Sequence, residues 1–156
     1  MGHHVRAKFR CLEIRTKYDG LIIAELKPVQ QKGVNPKENA EFWSYTPSGE
    51  CSLVFHKTCD IKVGDYHYID MEFEEGADDS LRWRLDNCTH HAEGSAEVYL
   101  SWHQNYAHDN KPEGLLNGYV KMYLEARAKG AIEAFSRPGS KWKVTFTFAE
   151  ASDGER

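Results

Sequence analysis

The chain predicts an α+β domain that is mainly antiparallel beta, barrel-like or sandwich in form, with one C-terminal-half helix before a final strand. Three observations predict it. Short stretches of apolar and polar alternation recur along the chain, and Gly, Pro and Asn punctuate them. One alanine-containing stretch between residues 115 and 135 carries helical spacing instead. At 156 residues and 17.9 kDa the chain is the size of a single domain, 1–156. Its ends, 1–4 and 149–156, are expected to fray.

In chain order, Val5, Ala7, Phe9 and Cys11 alternate with Arg6, Lys8 and Arg10, and Leu12 and Ile14 then take over the apolar phase. That switch predicts a bulge near Cys11. Tyr18-Asp19-Gly20 marks a hairpin turn into a strand over 21–26, which Pro28 ends. Residues 29–40 lack periodicity and read as a loop. Segments 41–46 and 51–56 flank Pro47-Ser48-Gly49, which predicts a second hairpin with Trp43 and Tyr45 on one face of its first arm. Residues 66–73 and 81–86 alternate as two further half-buried strands, and 96–102 and 141–148 follow, the last with Trp142, Val144, Phe146 and Phe148 on one side.

Leu115, Leu116, Tyr119, Val120, Tyr123, Leu124, Ala128, Ala131, Ile132 and Phe135 fall on one helical stripe, and a helix is favoured there. The rival reading is a strand alternation through Val120, Met122 and Leu124, with Asn117-Gly118 as a hairpin turn.

The composition is that of a folded globular protein, with 40% hydrophobic residues, 12% aromatics and a net charge of -4. It excludes disordered and collagen-like chains. The longest aliphatic run, over 21–24, is far short of the roughly 18–20 apolar residues of a membrane helix, so no membrane partner is expected. The N-terminus lacks the apolar stretch of a secretory signal, and Cys11, Cys51, Cys59 and Cys88 are expected as reduced thiols in a cytoplasm. Charge is unevenly spread: residues 1–36 carry seven basic against three acidic groups, whereas residues 71–95 carry two against seven.

The segment Glu38-Asn39-Ala40-Glu41-Phe42-Trp43, the turn Tyr45-Thr46-Pro47-Ser48-Gly49 and the strand Val63-Gly64-Asp65-Tyr66-His67-Tyr68-Ile69-Asp70 occur in that order. Together they resemble small uncharacterised proteins encoded by bacteriophages and prophages. Val63 stands where that pattern usually has proline. The resemblance spans roughly residues 5–73 and implies a compact beta structure in a bacterial host cytoplasm. It transfers no catalytic residues.

Four functional readings follow from the residues. His56 with Cys59, and Cys88 with His90, supply two sulfurs and two imidazoles, the ligand types of tetrahedral zinc, although Cys-x-x-Cys spacing is missing. His103, His108 and Asp109 supply acid–base groups for a small hydrolase, without a nucleophile elbow or a phosphate loop beside them. Ser48 suits turn chemistry better than nucleophilic attack. Arg6, Lys8, Arg10, Arg15 and Lys17, with Trp43, Tyr45, Tyr66 and Tyr68 for stacking, suit a small beta-barrel that binds single-stranded nucleic acid or a nucleotide. A sequence pI near 6.1 argues against a broad basic groove. The favoured reading is a non-enzymatic, phage-type accessory protein that acts through contacts with a protein partner or by homo-oligomeric self-association, with no catalytic residue and no required cofactor.

Overall fold

The computed structural model describes residues 4–17, 20–30, 36–43, 47–57, 61–73, 83–103, 115–136 and 141–150. Eight strands form one antiparallel ring: β1 (His4–Lys17), β2 (Leu21–Pro28), β3 (Gly49–His56), β4 (Tyr66–Phe73), β5 (Trp83–His90), β6 (Ala96–His103), β7 (Leu115–Leu124) and β8 (Lys141–Ala149). Two short helices, α1 (Lys37–Ala40) and α2 (Lys129–Ala134), complete the described elements. The strand order is β1-β2-β3-β7-β6-β5-β8-β4, closed by β4 pairing back to β1. Among the described residues β5 and β8 pair at Trp83–Trp142 and Arg84–Lys141. No helix among the described residues is long and apolar enough to cross a membrane.

Alternation along each strand explains the ring, because successive side chains point to opposite faces and the apolar set must face inward together. Val5, Ala7, Phe9 and Cys11 of β1 are buried, as are Leu53 and Phe55 of β3, Ile69 and Met71 of β4, Val98 and Leu100 of β6, and Trp142 and Val144 of β8. These side chains form one core. The long β1 bends from one neighbour to another: its first half pairs with β4 and its second half with β2. The bend falls at the expected bulge, where the register with β2 slips between Cys11 and Glu13. Leu12 is the extra residue, and it points to solvent rather than continuing the apolar phase.

Two expectations are corrected. Residues 115–124 form strand β7, with Val120, Met122 and Leu124 fully buried, and the helix occupies only 129–134. The period-2 alternation prevailed because burial against β3 and β6 on both sides outweighs helical propensity. Asn117-Gly118 is not a turn; Gly118 lies within β7 opposite Leu53 of β3 and Trp102 of β6.

The second hairpin is corrected as well: among the described residues 41–43 are not strand, and β3 pairs with β2 and β7. Lys37–Ala40 is a helical turn started after Pro36, and the Asn39 carbonyl accepts hydrogen bonds from Phe42 N and Trp43 N. Phe42 and Trp43 then enter the core edge to face, with ring centroids 5.4 Å apart. The chain is stitched to the end of β7 by Glu125 N donating to Phe42 O and Tyr123 N donating to Ser48 O. Beyond β7, Ala128, Ala131, Ile132 and Phe135 turn α2 onto the core, and Phe135 stacks on Trp142 at 4.4 Å.

Candidate interaction surface

The outer face of β1 and β4 holds the basic residues expected to meet phosphate. Register places Arg10 opposite Tyr66, Lys8 opposite Tyr68, Arg6 opposite Asp70 and His4 opposite Glu72. Arg6 donates to both carboxylate oxygens of Asp70, at 2.7 and 3.1 Å, and its guanidinium lies 4.4 Å from the Tyr68 ring centroid. The Asp70 hydrogen bond holds the Arg6 guanidinium above its ordinary pKa. His4 Nε2 lies 2.9 Å from the same Asp70 oxygen.

Lys8 is corrected from a solvent-facing cation to a buried one, 3% exposed. Its Nζ donates to Glu150 O at 2.7 Å and sits 5.5 and 5.9 Å from the Tyr66 and Tyr68 rings. Arg10 lies 5.6 Å from the Tyr66 ring. Arg15 pairs with Glu25 at 2.7 Å and Glu13 at 3.3 Å. Trp43, expected as a stacking platform, is in the core, where its Nε1 donates to Tyr123 O at 2.6 Å. Tyr45 and the Lys17 side chain lie outside the described residues. Among the described cations of this group, Arg6, Lys8, Arg10 and Arg15 thus face carboxylates, carbonyls and rings of the same chain.

Of the zinc set, the structure unites half. Cys88 and His90 are opposite Val98 and Ala96, both buried, at one end of the barrel. Cys88 Sγ lies 3.8 Å from His90 Nε2, and Ser136 Oγ lies 3.1 Å from the same nitrogen. Partial burial raises the Cys88 thiol pKa, and the hydrogen bond with Ser136 works against it. His56 sits at the far end of β3, with β7 and β6 between it and β5, so it does not join them. Cys59 lies outside the described residues. Among the described residues no three His, Cys, Asp or Glu side chains are grouped to hold a metal ion.

Cys11 and Cys51 are buried free thiols; burial pushes Cys11 up to about 11 and Cys51 well above its ordinary value. His108, Asp109 and the His103 side chain lie outside the described residues, and Ser48 serves the fold through its carbonyl. On another outer face, Tyr99 and Tyr119 stack at 5.2 Å. Tyr119 donates to Glu50 at 3.2 Å, and burial first, then Glu50, pushes it up to about 12.

The surface that sequence reasoning missed is apolar. Leu12 is 49% exposed and Val63 60% exposed, and among the described residues they are the large hydrophobic side chains left open to solvent. Backbone hydrogen bonds join the two segments that carry them. Gly64 N donates to Cys11 O at 2.8 Å, and Cys11 N donates to Asp65 O at 2.9 Å, so the turn over 62–65 is bolted to the β1 bulge. Within that turn Asp65 N donates to Lys62 O, and Gly64 holds φ +96°, the left-handed conformation that a turn of this kind requires of its third residue. The signal was present in the phase switch at Cys11, because a bulge releases one residue from the alternation and that residue can face outward. Comparison of the chain with protein-family models, with curated proteins and with solved structures finds no match.

Proposed function

We propose that this chain is a non-enzymatic binding protein that works through protein contacts, self-association included, made at the Leu12–Val63 surface. One observation carries the reading: two large hydrophobic side chains are open to solvent on segments joined by two backbone hydrogen bonds. Exposed apolar side chains clustered on rigid backbone and rimmed by charge, here Glu13, Arg15, Lys62 and Asp65, suit a protein interface. The resemblance of residues 5–73 to phage-encoded proteins fits an accessory role in a bacterial host cytoplasm. Nucleic-acid binding is the poorer reading, since phosphate would have to displace Asp70 from Arg6 and could not reach Lys8.

The test is affinity capture from bacterial lysate with wild type and with the double variant Leu12→Lys/Val63→Lys. Proteins retained by wild type and lost by the double variant are the expected result. Equal retention by both chains would overturn the reading.

A further inference from the structure

We infer that Cys88 and His90 bind a zinc ion, with the Ser136 hydroxyl oxygen as a third donor facing it. The site lies apart from the Leu12–Val63 surface and adds to the protein-contact reading without resting on it. β5 supplies both main ligands. Residues two apart on a strand share a face, and Cys88 and His90 lie opposite Val98 and Ala96, which are buried. Cys88 is only partly buried against the core and His90 is exposed, so an ion can reach the pair from solvent.

α2 brings the third group. Ala131, Ile132 and Phe135 hold α2 on the core, with Phe135 stacked on Trp142, and Ser136 follows directly. Ser136 Oγ donates its hydrogen to Ile132 O at 2.6 Å, the backward bond that serine makes one turn along a helix. Its lone pairs are left for the two β5 side chains: Oγ lies 3.1 Å from His90 Nε2 and also bonds Cys88. Sulfur, nitrogen and oxygen lone pairs therefore converge on one point.

The spacing fits zinc. Bonds of about 2.3 Å to sulfur and about 2.0 Å to nitrogen place those two atoms about 3.5 Å apart at the tetrahedral angle. Cys88 Sγ and His90 Nε2 lie 3.8 Å apart, which the same bonds span at an angle of about 120° at the metal. A small turn of the exposed imidazole covers the difference. On binding, the thiol proton leaves to solvent, and the imidazole ligates as the neutral ring with its proton on Nδ1. Thiolate and imidazole suit zinc rather than calcium or magnesium, which take oxygen ligands, and water fills the remaining coordination.

Titration of the full chain, reduced and freed of metal with a chelator, against a chromophoric zinc indicator tests the site. Wild type should take up zinc at about micromolar concentration, and Cys88→Ser and His90→Gln should each bind at least about tenfold more weakly. Cobalt(II) in place of zinc reports the ligand: wild type should show a near-ultraviolet thiolate-to-cobalt charge-transfer band, and Cys88→Ser should lose it. A wild type that takes up no zinc at about 100 µM overturns the inference. So does zinc held as tightly by both variants as by wild type, which would put the ion at His3 and His4 or at Cys59. A loss confined to one of two folded variants overturns the pairing of Cys88 with His90. His90 is exposed, so His90→Gln should keep the fold, with near-ultraviolet circular dichroism as the check, and it decides alone if Cys88→Ser unfolds. None of these outcomes touches the lysate comparison of wild type with Leu12→Lys/Val63→Lys, on which the protein-contact reading stands.

Discussion

The side-chain amide of Asn39 brackets the backbone of Lys8: Oδ1 accepts from Lys8 N at 2.7 Å, and Nδ2 donates to Lys8 O at 2.8 Å. A second Nδ2 hydrogen bond reaches Val29 O at 3.0 Å. The amide therefore continues the sheet for one residue where β2 has run out, and α1 exists to deliver it. Buried polar groups left unpaired cost about 1–3 kcal/mol each, so Asn39→Ala should lower stability by about 3 kcal/mol. Asn39→Asp should cost more at neutral pH, because it sets a buried carboxylate against two carbonyl oxygens. Urea melts of the three chains decide it; an Asn39→Ala loss under about 0.5 kcal/mol would mean water replaces the amide.

Lys8 and Arg6 share the same outer face and should behave differently on truncation. Arg6 is half exposed, and its bond to Asp70 is solvent-screened, so Arg6→Ala should change stability by less than about 1 kcal/mol. Lys8→Ala removes a buried side chain beside Tyr66 and Tyr68 together with its hydrogen bond to the Glu150 carbonyl, and a loss of about 2 kcal/mol is expected. Equal effects in thermal or denaturant melts would contradict the burial of Lys8.

These two residues also mark how far the sequence could be read. Period-2 alternation located β4, β6 and β8 closely, and the phase switch at Cys11 located the bulge, because each is a local pattern tied to one buried face. Lys8 reads as a solvent-facing cation in that pattern, since alternation distinguishes inside from outside but not what later chain segments lay over the outside. Cover comes from Glu150, distant in sequence by almost the whole chain. Trp43 differs for a similar reason: alternation puts it on a strand, whereas Pro36 and Asn39 start a turn that tips it into the core. Segment 115–124 satisfied two periods at once, and only its neighbours β3 and β6 choose between them. The separation of His56 from His90 depends on strand order, which no local pattern encodes.

Gly118 resembles a turn glycine in sequence but is needed for room. A Cβ there would sit 2.6 Å from Leu53 Cδ2 and 2.9 Å from the Ser52 carbonyl oxygen, so β3 and β7 could not keep their spacing. Gly118→Ala should destabilise by about 1–3 kcal/mol through overpacking, despite the higher strand entropy cost of glycine. An unchanged or raised melting temperature would show that Leu53 moves aside without penalty.

Two phenylalanines that look alike in alternating or helical pattern separate in the fold. Phe135 is fully buried and stacked on Trp142, so Phe135→Ala should cost about 3–5 kcal/mol. Phe146, expected at the same depth, is only partly buried against the core, and Phe146→Ala should cost about half as much. Denaturant melts that gave Phe146 the larger loss would reverse the assigned faces of β8.

His67 makes stability depend on pH. It lies on the inner face of β4 opposite Phe9, and burial lowers its pKa from the ordinary 6.5, with Asp65 opposing. The folded chain therefore binds this proton less readily than the unfolded chain. His67 costs nothing well above pH 6.5; stability is lost as pH falls through 6.5 toward the lower folded value, then levels off. The slope from this one group reaches at most about 1.4 kcal/mol per pH unit. His67→Leu should flatten the stability profile between about pH 7 and pH 5 relative to wild type. Parallel profiles for the two chains over that range would mean that His67 titrates alike folded and unfolded, and that another group sets the acid limit.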